Sequence, residues 1–169
     1  RKFVETCETF HIPIIALVDE PGFMIGSEAE KEGTIKFGTA TVLAVADCSV
    51  PWASIVVKKS YGVAQAAHYG NDAYVLLWPS AEMGALPLEG GVAVAFGREI
   101  EAAEDPDAKR RELEDMMAAR LSPFPRAESF SAHDIIDPRE TRPMLCAWID
   151  RVRPLLPQLL GPTRFTMKP

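Results

Sequence analysis

Three short apolar runs, each stopped by a turn signal, constrain the fold of this chain most. Residues 14–18 are continuously apolar and close on Asp19-Glu20-Pro21-Gly22. Residues 54–57 end at Lys58-Lys59, and residues 74–78 stop at Pro79. Runs of this length without polar alternation read as strands buried on both faces, the pattern of parallel sheets under helices. Between and after them lie helical spacings. Ile35, Phe37, Thr39, Val42, Leu43 and Ala46 follow the first run, with Ser27 and Glu30 as a possible capping box ahead of them. Residues 64–68 are briefly helical, residues 83–91 read as loop, and residues 92–96 as an apolar helix. Asp105-Pro106 opens a helix with Leu113, Met116, Met117 and Leu121 on one face, ended by Pro123 and Pro125. Leu145, Trp148, Ile149 and Val152 mark the last helix. Strand and helix in alternation predict an α/β fold.

With 169 residues at 47% hydrophobic, the chain can bury a core of its own and is no disordered segment. Its 18 basic and 24 acidic side chains give a net charge of −6, which argues against a general nucleic-acid or anionic-membrane surface. No apolar stretch approaches the roughly 20 residues of a membrane helix, so no membrane partner is expected. Cys7, Cys48 and Cys146 form no closely spaced pair and no ligand set with His11, His68 and His133. Reduced thiols, two of them buried, and no metal follow from that spacing, as does a cytoplasmic or organelle-matrix location.

Side-chain chemistry is sparse. Ser54, Ser60 and Ser80 lie near strand ends, and His68 follows Ser60 by eight residues, but no nucleophile elbow is present. Asp19 and Glu20, at the end of the first run, read as general bases or as caps of the following turn. Glu82 and Glu89 carry the same two readings. No dinucleotide or phosphate-loop fingerprint occurs. Gly62-Val63-Ala64 stands at a strand-to-helix turn, where backbone amides lack partners and favour negative charge. It is either an ordinary tight turn or a pair of donors able to hold an oxyanion.

Several motifs, in order, carry a family resemblance. Phe10-His11-Ile12-Pro13 with Val18-Asp19-Glu20-Pro21-Gly22-Phe23 resembles the N-I-P…V-D-x-P-G-F stretch of carboxyltransferase subunits of biotin-dependent acyl-CoA carboxylases, the propionyl-CoA carboxylase β-chain type above all. Lys58-Lys59-Ser60-Tyr61-Gly62-Val63-Ala64 is similar to R-K-A-Y-G-G-A, and Trp78-Pro79-Ser80-Ala81-Glu82 with Met83-Gly84-Ala85 to W-P-T-A-E-I…M-G-A. Ser122-Pro123-Phe124-Pro125 fits N-P-F-P. The stretch from Asp134 to Arg142 is similar to D-V-I-E-P-R-E-T-R.

The resemblance implies a crotonase/ClpP-like spiral of ββα units, incomplete at its N-terminal side. Residues 1–153 would be the C-terminal part of the carboxyltransferase C-domain, and residues 154–169 a proline-rich basic tail. It implies transfer of a carboxyl group from carboxybiotin to the α-carbon of a short-chain acyl-CoA. Biotin would be carried on a biotin carboxyl carrier or biotin carboxylase component, the CoA thioester would be the substrate, and the full subunit would be a homo-oligomer. By motif position the oxyanion donors on the biotin side fall on the amides of Val63 and Ala64, with Gly62 shaping the turn. The pocket falls on Pro21, Gly22, Phe23, Gln65, Ala66, Met83, Gly84 and Ala85. A crotonase-like acyl-CoA decarboxylase subunit and a non-catalytic assembly module are the alternatives.

The chain departs from the pattern at three places. Val63 replaces the second glycine, and a β-branched residue disfavours positive φ. Gln65 and Ala66 stand where propionyl-type subunits have Tyr-Asp, positions that help select the acyl group. The stretch Leu86-Pro87-Leu88-Glu89 reads as an insertion beside the active-site loop. The resemblance also places the acyl-CoA oxyanion hole outside this chain, so the chain is expected to be inactive alone and to expose apolar surface.

Overall fold

A computed structural model describes residues 1–162, apart from the side chain of Glu89; residues 163–169, and with them the end of the expected tail, lie outside the described part. The apolar runs do form strands. β1 is Ile14–Glu20, β2 Trp52–Tyr61 and β3 Tyr74–Leu77, joined by two short strands, β4 (Glu82–Gly84) and β5 (Asp134–Ile135). They build one five-stranded sheet in the order β1-β2-β3-β5, with β4 also on β2, and every pairing is parallel.

β2 is the spine. Ala53, Ile55 and Val56 are wholly buried, as the apolar run requires. The strand does not stop at Lys58-Lys59 but continues to Tyr61. Two partners hold that extension: Ser60 sits opposite Glu20 of β1, and Lys59, Ser60 and Tyr61 sit opposite Glu82, Met83 and Gly84 of β4. β1 departs from expectation in another way. Ile14 and Val18 are buried, but Ile15 is 45% and Leu17 64% exposed. β1 is thus an edge strand with one bare apolar face rather than a strand covered on both.

The helices are α1 (Lys2–Thr9), α2 (Ser27–Lys31), α3 (Thr34–Ala46), α4 (Leu88–Glu101), α5 (Pro106–Leu121), α6 (Pro123–Glu128) and α7 (Thr141–Val152). Asp105 caps α5 as its sequence predicts, accepting from the amides of Asp107 and Ala108 with Pro106 at the first helical position. Leu113 and Leu121 face the core, with Met117 packed half-buried. The capping box at Ser27 is not made: Gly26 stands at the N-cap and no side chain caps α2. Pro123 does not simply end α5 but opens α6, because Ser122 turns its Oγ to accept from the Phe124 amide. Residues read as loop after Met83 instead supply the end of β4 and the first turn of α4, which begins at Leu88. The proline-rich residues Arg153–Leu159 wind into a 3-10 helix, and Leu159 packs on the core around Val4, Val45, Val50 and Trp52.

α1 ends in a left-handed turn. His11 has φ 54°, its N–H donates to the Glu8 carbonyl, and the Ile12 N–H donates to the Cys7 carbonyl at 2.8 Å. This is a Schellman cap with histidine where glycine or asparagine is preferred. The buried His11 Nδ1 has no partner among the described residues. A left-handed non-glycine residue costs about 1 kcal/mol or more. His11→Gly should therefore raise stability by about 1 kcal/mol, measured as a higher urea midpoint. A midpoint at or below wild type would show that the turn is not strained.

Candidate functional site

The site forms where the long strand β2 runs out. Beyond Tyr61 the chain turns at Gly62, whose φ of 63° belongs to the left-handed region that glycine enters freely. Its N–H donates to the Gly84 carbonyl at 3.0 Å, tying the turn to β4. A 3-10 helix, Val63–His68, starts immediately. In such a helix the first amides have no intrahelical acceptor. Gly62 spends its own on Gly84, which leaves the amides of Val63 and Ala64 as donors at the helix start. The positive φ falls on Gly62, and Val63 has none. The β-branched residue is therefore accommodated without strain, its side chain 71% exposed while Ala64 is buried.

The helix behind these amides is clamped at its far end. Ser54 Oγ and Trp52 Nε1 both donate to the His68 carbonyl, at 2.7 and 3.0 Å. In the middle, Ser60 Oγ meets Tyr69 Oη at 2.9 Å and Gln65 Oε1 at 3.5 Å. Burial pushes the Tyr69 phenol up, against the lowering effect of its Ser60 bond. These side chains spend their polarity on holding the turn. Ser80 Oγ is likewise spent, on the Val57 carbonyl. No serine among them is bonded to an imidazole.

The acidic candidates resolve the same way. Glu20 Oε1 accepts from the Gly22 amide at 2.9 Å, capping the Pro21-Gly22 turn, and its Oε2 lies 3.6 Å from His68 Nε2. Asp19 Oδ1 accepts from the Lys59 amide, and Glu82 Oε2 accepts from the Tyr61 hydroxyl at 2.9 Å. The Glu89 side chain lies outside the described part.

In front of the amides opens a cleft of about 550 Å³. Of the residues singled out from the sequence, Pro21, Gly22, Phe23, Gly62, Val63 and Ala85 line it. Ala64, Gln65, Ala66, Met83 and Gly84 do not; Ala64, Met83 and Gly84 are buried behind it, where a Cβ on Gly84 would meet Leu121 at 2.5 Å. The remaining wall was not foreseen: Ile25, Ile35, Thr39, Tyr61, Leu86, Pro87, Gly90, Gly91 and Val94. Ile35 and Thr39, four apart on α3, share one exposed face. Every described lining side chain is uncharged. A ligand with an oxygen to accept from the Val63 amide and an otherwise apolar, neutral body would suit this described lining. A ureido oxygen on a fused apolar ring system fits that description, so the residues present suit biotin. Among the described residues no three His, Cys, Asp or Glu side chains group as a metal site, and no helix is long and apolar enough to cross a membrane.

Residues 1–150 match the carboxyl transferase domain family, and the chain belongs to that family. It is 40% identical over 146 residues to the methylmalonyl-CoA carboxyltransferase 12S subunit of Propionibacterium freudenreichii subsp. shermanii, covering 83% of this chain and 28% of that subunit. It is 35% identical over 151 residues to the propionyl-CoA carboxylase carboxyltransferase subunit of Haloferax mediterranei, covering 86% of this chain and 29% of that one. A transcarboxylase 12S hexamer, solved with methylmalonyl-coenzyme A and methylmalonic acid bound, superposes with a TM-score of 0.83 at 34% identity over 99% of this chain and 32% of its own. The fold is therefore the crotonase-like carboxyltransferase fold, and the chain spans less than a third of the length of these relatives.

Proposed function

We propose that this chain supplies the biotin-facing side of a carboxyltransferase site that moves a carboxyl group between carboxybiotin and the α-carbon of a short-chain acyl-CoA. The observation that carries the reading is the helix start at Val63, whose amide has no intrahelical acceptor and which, with Gly62, lines a cleft whose described lining side chains are uncharged. Biotin, when bound, supplies the carboxyl group and a ureido nitrogen basic enough to take the α-proton.

The chain's own part is electrostatic. The amides at the helix start, fixed by Gly62 and by the Ser54 and Trp52 clamps on His68, would donate to a ureido oxygen and favour its negative form. They are oriented before the substrate arrives, so they need no reorganisation during the step. A substrate covering the apolar walls would displace water there and raise the strength of those bonds. The donors for the thioester oxygen, the biotin carrier and the homo-oligomer are assigned by this reading to elements beyond these residues. The hexamer of the 12S relative is the model for the last of these. The same reading assigns the protein to the cytoplasm or an organelle matrix.

The intact gene product should turn methylmalonyl-CoA or malonyl-CoA plus free biotin into carboxybiotin and the decarboxylated acyl-CoA, run in the reverse direction. Trapping no carboxybiotin with either thioester would overturn the reading. Decarboxylation that continues at full rate without biotin would assign the site to a decarboxylase instead.

A further inference from the structure

Different elements carry two sides of the cleft. Gly62 and Val63 open the 3-10 helix on one side, and Pro21, Gly22 and Phe23 follow β1 on the other. Gly22 has φ 118°, a conformation that side chains disfavour, and a Cβ built there would meet nothing within 4 Å. Packing on that side therefore does not fix the turn. Its amide is held instead by Glu20 Oε1 at 2.9 Å, a charge-assisted bond.

The second oxygen of the same carboxylate points elsewhere. Glu20 Oε2 lies 3.6 Å from His68 Nε2, at the far end of the 3-10 helix. That separation is too long for a hydrogen bond and acts through charge when the imidazole is protonated. The His68 carbonyl is already fixed to β2 by Ser54 and Trp52, so carbonyl and ring secure that helix end from two strands. The side chains are 32% and 28% exposed, which makes the His68 arm the weaker and the Gly22 bond the stronger. Glu20 fills the open position of the V-D-x-P-G-F stretch, and His68 lies beyond Ala64, so the shared motifs fix neither. We propose, resting on the function proposed above, that Glu20 is a positioning residue for the biotin side. It straps the Pro21-Gly22 wall to the His68 end of the donor helix, and so holds the two sides of the cleft at a set separation. Neither Glu20 nor His68 lines the cleft, so both act through the groups they hold.

The test uses the intact gene product at about pH 6, where an ordinary histidine is mostly charged. Two quantities are read: carboxybiotin formation from methylmalonyl-CoA and free biotin, and amide hydrogen exchange of the segment that holds Gly22. Glu20→Ala should lower kcat/KM for biotin by about ten-fold or more, with KM for methylmalonyl-CoA within about two-fold of wild type. Glu20→Gln keeps an oxygen for the Gly22 amide and should recover to within about three-fold of wild type. His68→Ala, which removes only the weaker arm, should cost about two- to five-fold. Combined with Glu20→Ala it should cost less than about two-fold more, because the strap is already gone. Gly22 exchange should quicken in the same order, by about ten-fold in Glu20→Ala and about two- to five-fold in His68→Ala. Urea midpoints close to wild type confirm that the variants fold. Losses that multiply in the double variant, a KM for methylmalonyl-CoA that rises in step with the loss on biotin, or Gly22 exchange unmoved by either variant would overturn the strap. Carboxyl transfer by the wild type with unmoved exchange sinks the strap alone. Exchange that quickens as stated, with no carboxybiotin formed by the wild type, sinks the function proposed above and leaves the strap standing.

Discussion

Val63→Pro should cut carboxyl transfer by about 10²–10³-fold while leaving the fold intact. The substitution removes one N–H and little else. Val63 is the first residue of the 3-10 helix, where the amide has no intrahelical acceptor and proline is favoured. The residue before a proline is pushed towards extended ψ, and Gly62 already has ψ −158°. The Val63 side chain is 71% exposed, so its loss opens no cavity. The companion variant, Val63→Gly, keeps the N–H and should stay within about three-fold of wild type, well short of the effect of losing a donor. The contrast between the two isolates the amide from the side chain. Rates for Val63→Pro equal to those for Val63→Gly, in the reverse assay with free biotin, would remove this amide from the mechanism. Urea unfolding of both variants guards the comparison, and midpoints close to wild type are expected.

The turn that carries the proposed donors was legible because the signal is local. A strand end, a glycine and two small or apolar residues before a helix are contiguous in sequence, and backbone geometry follows from contiguity. The same holds for the Asp105-Pro106 cap, which needs only neighbouring amides. The cleft walls were half legible. Pro21, Gly22, Phe23 and Ala85 lie in the motif stretches themselves. Ile35 and Val94 reach the cleft only because α3 and α4 pack around the end of β2, a tertiary fact that helical periodicity does not contain. Exposed apolar residues on an amphipathic pattern read as core until the packing shows otherwise.

Where the sequence misled, longer-range partners decided. Lys58-Lys59 looks like a strand terminus by propensity, yet β4 and β1 bracket β2 as far as Tyr61 and hold it extended. The three-residue β4 has no pattern of its own and exists through its pairing with β2. Asp19 and Glu20 offered two readings that differ only in what they touch. Glu20 caps the following turn through the Gly22 amide, whereas Asp19 accepts from the Lys59 amide on the neighbouring strand. β1 carries the apolar run of a doubly covered strand but shows Ile15 and Leu17 to solvent, because nothing among the described residues packs on that face.

Glu8 holds together a buried hydrogen-bond cluster that no motif signals. It is 3% exposed in the core beneath α1, a place where a carboxylate is costly unless fully bonded. The turn before β2, from 40 residues away, bonds it: Oε2 accepts from the Ser49 and Val50 amides at 2.8 and 3.2 Å and from Cys48 Sγ at 3.5 Å, and Oε1 accepts from Ser49 Oγ at 2.7 Å. Burial by itself would raise the Glu8 carboxyl, but these donors outweigh it and hold it below its ordinary value of 4.5. Burial also pushes the neighbouring Cys48 thiol up to about 11, with the Glu8 charge adding to the effect, so Cys48 stays a protonated donor to Glu8 at neutral pH. Glu8→Ala leaves two backbone N–H groups and two side-chain donors facing a void. At about 1–3 kcal/mol for each buried group left unsatisfied, the loss should come to about 3 kcal/mol or more. For a chain of this size that lowers Tm by roughly 6–12 °C. Glu8→Gln keeps the shape but turns an NH2 towards one set of donors, and should fall between the two. The pH dependence gives the sign. A carboxyl depressed in the folded state contributes stability that is fully present above its unfolded value and fades as pH falls through the lower, folded one. The stability gap between wild type and Glu8→Gln should therefore be constant from pH 7 to about 5.5 and narrow steadily below about 4.5. A gap that stays flat down to pH 3 would show that Glu8 is held as a neutral acid, and that its bonds shape the turn without the charge.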